Sequence, residues 1–539
     1  MNISIPGDTI IVGEGIFCEF VRFNEGIVLI GAGWDLTTIK LPNLTTGAEL
    51  IVMRDKCEIS NLVLRGNGQE EYIRGVTTFR SANGHLAVSI KHLKIVDFFG
   101  GISLGGFYNP AEDTSYIQNV VIDSCVEGIS VEMNTVVITN NFITTSESNL
   151  YTNIGSRCDV HNNVFVVSPY FNTFTPGFVN IKEGFSGPAS IRNNLIVSTY
   201  RDNIDPFSWG IEAGPDTVSN NLLTGNFGVA VRTNGSSSLR DIFNNHISGG
   251  LFYGFYGNAS LRFNNFQNNG VHFHSDNGST IDTISNITRY PMFVAEEKDF
   301  HLQLFSPLIN AGDTLVKDRD GTRSDIGMYG GRDGKSYTYL DLAPLEPRGI
   351  AATVAGDTIR LDWKKNQESD FKQYLVFGDT TQGFSADSSR LIGRLTDTSF
   401  TKIIPGLSGG YFIRLRSEDN QGNISEESEE IRIIPVGING EGHEVVQDYR
   451  LFNNYPNPFN PETVIGYRLK SPGRVILTVY TITGEPVRVL QDGEMPAGYH
   501  ETRFRGDDLA SGIYLYKIDV RSPEGVPVYT SVRKMLLLK

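Results

Sequence analysis

The sequence predicts an all-β chain: a right-handed parallel β-helix over residues 1–331, followed by two small β-sandwich domains at 343–434 and 451–539. Three observations carry this. A short asparagine-centred segment recurs through the first half of the chain. Strand-like runs at short intervals fill the remainder, and 57 glycines against 22 prolines supply many tight turns. With 539 residues, the chain is also longer than one core usually serves.

The repeat comes first. Ile138-Thr139-Asn140-Asn141-Phe142-Ile143 aligns with Val160-His161-Asn162-Asn163-Val164-Phe165, Ile191-Arg192-Asn193-Asn194-Leu195-Ile196, Val218-Ser219-Asn220-Asn221-Leu222-Leu223 and Ile242-Phe243-Asn244-Asn245-His246-Ile247. Asn264-Asn265-Phe266 is a looser copy. Asn61-Leu62, His92-Leu93 and Asn119-Val120 are upstream copies with one polar residue. The period averages about 25 residues, too short for a four-stranded propeller blade and too strand-like for paired helices.

Parity then fixes the geometry. Ile138 and Ile143 are five apart, so on one straight strand they would face opposite ways. A corner between them lets both point inward, and asparagine tolerates the positive φ that a corner needs. Coils stacked at about 4.8 Å place asparagine over asparagine, with amides bonding along the stack. The expected ladder is Asn140, Asn162, Asn193, Asn220, Asn244 and Asn264, with Phe165, Phe243 and Phe266 as core rungs. The long intervals 61–92 and 162–193 are expected to bulge as loops.

Beyond the repeat, Thr358–Trp363, Tyr374–Phe377 and Tyr411–Leu415 read as strands of a sandwich anchored on Trp363. A polar linker, 435–450, follows. The last segment opens Tyr455-Pro456-Asn457-Pro458-Phe459-Asn460-Pro461, alternates through Thr463–Leu469 and Val475–Tyr480, and ends Lys534-Met535-Leu536-Leu537-Leu538-Lys539.

Charge excludes some functions. A net charge of −15 disfavours nucleic acid, whose binders need Lys and Arg to displace phosphate counterions. Polyanion binding would need bridging cations, and clustered carboxylates can hold Ca²⁺. The four cysteines, Cys18, Cys57, Cys125 and Cys158, have no CxxC spacing, which argues against zinc and for buried thiols, with one or two disulfides the alternative in an exported protein. No apolar run is long enough for a transmembrane helix, and the first residues lack a leader's basic and apolar regions.

Three resemblances add to this. The opening Gly7-Asp8-Thr9-Ile10-Ile11-Val12, with Ile27–Gly33, and the ending Pro291-Met292-Phe293 … Ser306-Pro307-Leu308-Ile309-Asn310-Ala311-Gly312 … Asp325-Ile326-Gly327 resemble the secreted β-helix family related to pectate lyases. Residues 343–434, with Trp363, Asp370 and Tyr374, resemble a fibronectin type III domain. Residues 451–539 resemble the type A C-terminal sorting domain of the type nine secretion system. That last likeness implies passage to the outer-membrane surface through the type nine machinery, and hence a truncated start. It makes the expected protein a secreted, surface-attached one, and the long face of the β-helix makes polysaccharides or cell-surface glycans its expected partners.

Lyases and epimerases of the β-helix family neutralise a uronate carboxylate and use a base to abstract a ring proton; hydrolases need two carboxyl groups. The candidates here are Arg201, Asp202, Asp205 and Glu212, with Trp209 for stacking on a sugar, all expected on a loop. Against them stands an ordinary solvated loop. His272, His274 and Asp276 form a weaker cluster whose two histidines share a strand face by parity. Asp318, Asp320 and Asp325 have the spacing of a Ca²⁺ loop, with a capping turn the plainer alternative. The leading expectation is a binding protein; a uronate-directed lyase or epimerase and a structural stalk or adhesin are its rivals.

Overall fold

The computed structural model describes the chain outside residues 1–4, 43–48, 69–71, 80–85, 106–112, 133–134, 153–156, 168–176, 182–188, 199–207, 214–216, 234–239, 276–279, 296–297, 406–409, 434–448, 453, 455–458, 460, 483–484, 497, 508, 511, 523–524 and 538–539. The chain is all-β and divides into two compact units, Met1–Asp341 and Leu342–Lys539.

The first unit is a three-sided parallel β-helix. One sheet stacks strands from Thr9–Val12 to Thr280–Ile281. A second runs from Gly15–Cys18 to Asn265–Gln267. The third runs from Val21–Arg22 to Val271–Ser275. Every pairing in these three stacks is parallel, and such crossovers take the right-handed sense that twisted strands of L-residues impose.

The corner between the first and second sheets forms as parity requires. Asn61, His92, Asn119, Asn140, Asn162, Asn193, Asn220, Asn244 and Phe263 all sit there with φ between 50° and 59°. Ile138 and Ile143, on either side of one corner, are both fully buried. The amide chain, however, belongs to the next residue along. Asn141, Asn163, Asn194, Asn221, Asn245 and Asn264 each donate from Nδ2 to the Oδ1 of the next, at 2.9–3.0 Å, and the chain ends on Asn286. Each Oδ1 also accepts the preceding rung's backbone N–H. Of the expected ladder only Asn264 belongs to it; Asn140, Asn162, Asn193, Asn220 and Asn244 turn the chain and point outward. The physical reason is alternation: the residue after the corner faces inward, and in the early coils Leu62, Leu93 and Val120 fill that position. Phe165 and Phe266 are core rungs, whereas Phe243 faces out beneath Arg262, whose guanidinium carbon lies 4.4 Å from the ring centre.

A two-stranded hairpin, Phe293–Ala295 with Asp299–Leu302, follows the last coils. The chain then runs back along the corner as a strap. Asn193 donates to the Met328 and Gly330 carbonyls, Asn220 donates to the Asp325 carbonyl, and Asn244 accepts from Asp313 N–H. Leu308 and Ile326 of the strap pack with Leu222, Phe293 and Leu302. Ion pairs of Arg192 with Asp333 (2.6 Å) and Arg262 with Asp313 (3.0 Å) pin it further.

The second unit holds two antiparallel sandwiches. In the first, Ala351–Ala355, Thr358–Asp362 and Ser399–Ile403 face Leu391–Leu395, Phe371–Asp379, Tyr411–Asp419 and Ile431–Ile433. Trp363 anchors its core as expected, edge-on to Tyr374 at 5.1 Å between ring centres. In the other, Arg450–Leu451, Glu462–Leu469 and Gly498–Arg505 face Pro486–Met495, Gly473–Thr481, Gly512–Arg521 and Pro527–Leu537. All four cysteines are free thiols: Cys57, Cys125 and Cys158 are buried and Cys18 is exposed. Among the described residues no helix is long and apolar enough to cross a membrane.

Candidate functional site

The third sheet shapes its outer face through a bend. Two consecutive residues point inward there, and in several coils the first of them is small. Gly75, Gly101, Gly128, Gly210 and Ala230 hold that place, each followed by a buried branched residue: Val76, Ile102, Ile129, Ile211 and Val231. A Cβ on Gly101 would lie 2.7 Å from the Gly128 carbonyl and 2.9 Å from Ile122. The residues flanking this inward pair point out. In register along the C-terminal coils, one outward column reads Trp209, Val229, Tyr253, Val271, and the other reads Glu212, Arg232, Tyr256, His274.

These columns gather an aromatic and polar patch. The Tyr256 and His274 rings stack 5.1 Å apart at 13°, and Tyr253 lies 5.4 Å from Tyr256 and 5.3 Å from His274. On the two rungs before them, the Arg232 guanidinium carbon sits 4.7 Å from the Trp209 ring centre, a cation–π arrangement. Trp209 Nε1 is buried without a hydrogen-bond partner among the described residues. Glu212 is 6% exposed, so the patch holds its carboxylate close to the sheet rather than out in water. An extra residue opposite Phe227–Val229 forms a bulge that pushes Leu251 and Phe252 into solvent, 47% and 45% exposed. Aromatic faces offer an apolar surface for the C–H face of a sugar ring, while Arg and Glu supply directional bonds to its hydroxyl or carboxylate groups.

The expected residues distribute as follows. Trp209 and Glu212 share this face, but on the strand Trp209–Ala213 and not on a loop; the 27-residue interval is used by a third-sheet strand. Arg201, Asp202 and Asp205 lie outside the described residues, as does Asp276. His274 belongs to the patch. His272 does not share its face, because the bend breaks the simple alternation: its Nδ1 is buried and its ring lies 6.3 Å from core Phe266. Arg232, Tyr253 and Tyr256 do not stand out in the sequence; the inward pairs Ala230-Val231 and Gly254-Phe255, which these residues directly flank, were the available signal.

Asp318, Asp320 and Asp325 do not converge as a cation site. Asp318 accepts from the backbone N–H groups of Asp325 and Gly331, Asp325 accepts from Asn310 N–H and Tyr339 O–H, and Asp320 turns back on Thr322. These bonds tie the strap into a capping turn. Burial, with the Asp325 charge nearby, pushes the Asp318 carboxyl up to about 6.

No protein-family profile matches the chain, and no curated protein matches it. The solved structures it resembles include fibronectin type III-like proteins. A Fn3-like protein from Clostridium thermocellum is 23% identical, covers 17% of this chain and 96% of its own, and scores a TM-score of 0.15. The central fibronectin-III array of RIM-binding protein is 15% identical over 36% of this chain and 70% of its own, with a TM-score of 0.19. Dimeric latent PorU from Porphyromonas gingivalis is 15% identical over 39% of this chain and 22% of its own, with a TM-score of 0.21. Likeness at this level locates no site.

Proposed function

We propose that this is a secreted, surface-attached β-helix protein that binds glycan along the outer face of its third sheet. The observation that carries the reading is the patch of Tyr253, Tyr256, His274, Trp209, Arg232 and Glu212, displayed in register on a rigid solenoid. Concave or flat faces of solenoids commonly serve as extended binding surfaces. In the same reading, residues 343–434 form a fibronectin type III-like spacer, and residues 451–539 act as the sorting domain that engages the type nine secretion machinery. The support for that last role is the motif set quoted above.

A second reading is favoured by the in-register Glu212 and Arg232: a lyase or epimerase on uronic-acid polysaccharide, with Arg232 neutralising the carboxylate. One experiment separates the two. The purified protein is applied to a glycan array and, in parallel, incubated with uronic-acid polysaccharides with and without Ca²⁺. Binding lost in Tyr256→Ala without turnover supports the binding reading. New unsaturated ends that vanish in Glu212→Gln support the enzyme, and silence in both assays leaves a stalk. Sorting is tested by deleting residues 451–539 from an exported full-length form: retention in the periplasm is expected, and normal surface display refutes the assignment.

A further inference from the structure

The strap shows what the asparagine corner can hold. Asn193 Nδ2 donates to the Met328 carbonyl at 3.0 Å, and Asn220 Nδ2 donates to the Asp325 carbonyl at 3.0 Å. Next to them, outward Leu195 and Leu222 of the second sheet pack with Leu308, Ile326 and Met328 of the strap. Side-chain amides thus take the strap's main chain, and an aliphatic column takes its side chains. At Gly331–Gly334 the strap turns away. Both columns continue past it. In register with Asn193 and Leu195 come Asn162 and Val164, then Asn140 and Phe142. Asn162 and Asn140 keep the same corner geometry, with φ of 58° and 57°. Asn140 is exposed, Asn162 and Val164 are half-buried, and Phe142 is 44% exposed. Neither corner amide has a side-chain hydrogen bond among the described residues.

We infer that this uncovered continuation is a docking groove for an extended polypeptide segment of a partner protein. The segment lays main-chain carbonyls against the amides of Asn162 and Asn140 and sets an aliphatic side chain between Val164 and Phe142. Continuity with the strap's own seat is the reason to name a polypeptide: the same two contacts, in the same register, already hold one. This groove lies on the edge between the first and second sheets, away from the glycan patch on the third.

The test supplies the strap's sequence in trans. A dye-labelled synthetic peptide of residues 322–333 is titrated with the whole protein and followed by fluorescence anisotropy. Saturable binding is expected with a Kd of about 1 mM or tighter. The combined variant Phe142→Glu, Asn140→Asp, Asn162→Asp should weaken it at least about tenfold. Aspartate keeps the corner's tolerance of positive φ while removing the donor, and an unchanged melting temperature shows that the variant is folded. Tyr256→Ala should leave the peptide's affinity as it was. Absence of saturation overturns the proposal. So does binding that the combined variant leaves intact, because the peptide has then exchanged with the native strap instead of extending it.

Discussion

Replacing Asn194 by leucine tests the interior ladder at its centre. Leucine keeps asparagine's branching but is larger, so some overpacking adds to the lost bonds. The fully buried Asn194 side chain donates to the Arg192 and Val160 carbonyls and to Asn221 Oδ1, and it accepts from the backbone N–H and the Nδ2 of Asn163. Leucine offers none of these. The Asn163 N–H loses its partner inside the core, which costs about 1–3 kcal/mol, and the other lost bonds bring the total to about 3–5 kcal/mol. Asn193→Gly is the matched control. Glycine keeps the positive φ and gives up two bonds to the strap, a loss of about 1–2 kcal/mol. Denaturant unfolding of both variants, with hydrogen exchange over residues 158–223 to localise the loss, measures the difference. If Asn194→Leu costs under about 1 kcal/mol, or less than Asn193→Gly, the inward chain of amides does not hold the coils.

Other perturbations have equally definite outcomes. Gly101→Ala should destabilise by about 1–3 kcal/mol, because the new methyl meets the Gly128 carbonyl and Ile122, and thermal melting reads it. Asp318 has a folded-state carboxyl raised to about 6, so its contribution to stability is fully present below the unfolded value near 3.8 and is lost as pH rises through about 6. The strap should therefore hold more tightly at pH 5 than at pH 8, by no more than about 1–2 kcal/mol after solvent screening of this half-buried group. Hydrogen exchange at residues 325–331 should show that difference, and Asp318→Asn should remove it. Among the cysteines, burial pushes Cys125 and Cys158 up to about 12, so native alkylation followed by mass spectrometry should label Cys18 and spare Cys57, Cys125 and Cys158 until the protein unfolds.

The coil repeat was legible because its corner demands a residue that tolerates positive φ, and asparagine marks that place in most coils. The one-residue offset between corner and ladder was hidden by the pairs themselves, since both positions read Asn. Two observations resolve it. Leu62, Leu93 and Val120 occupy the second position in the early coils, where only an inward residue would be apolar, and at Phe263-Asn264 the corner is phenylalanine while the amide chain continues through Asn264. The aromatic patch of the third sheet was harder to read. Trp209 and Glu212 stood out by residue type, but their partners Arg232, Tyr253 and Tyr256 come from later coils, and contact between coils depends on register. His272 and His274 were placed on one face by a period of two that the inward glycine column interrupts.

Trp209 gives the most direct test of glycan binding on the third sheet. It is the one tryptophan on that face; Trp34 and Trp363 lie elsewhere, the latter in a sandwich core. A glycan found to bind by calorimetry should alter tryptophan emission with the same saturation curve, and the change should vanish in Trp209→Phe while Trp34 and Trp363 still emit. Calorimetric binding with no optical response from Trp209 would contradict the account, because the ligand would then be seated somewhere else on the molecule.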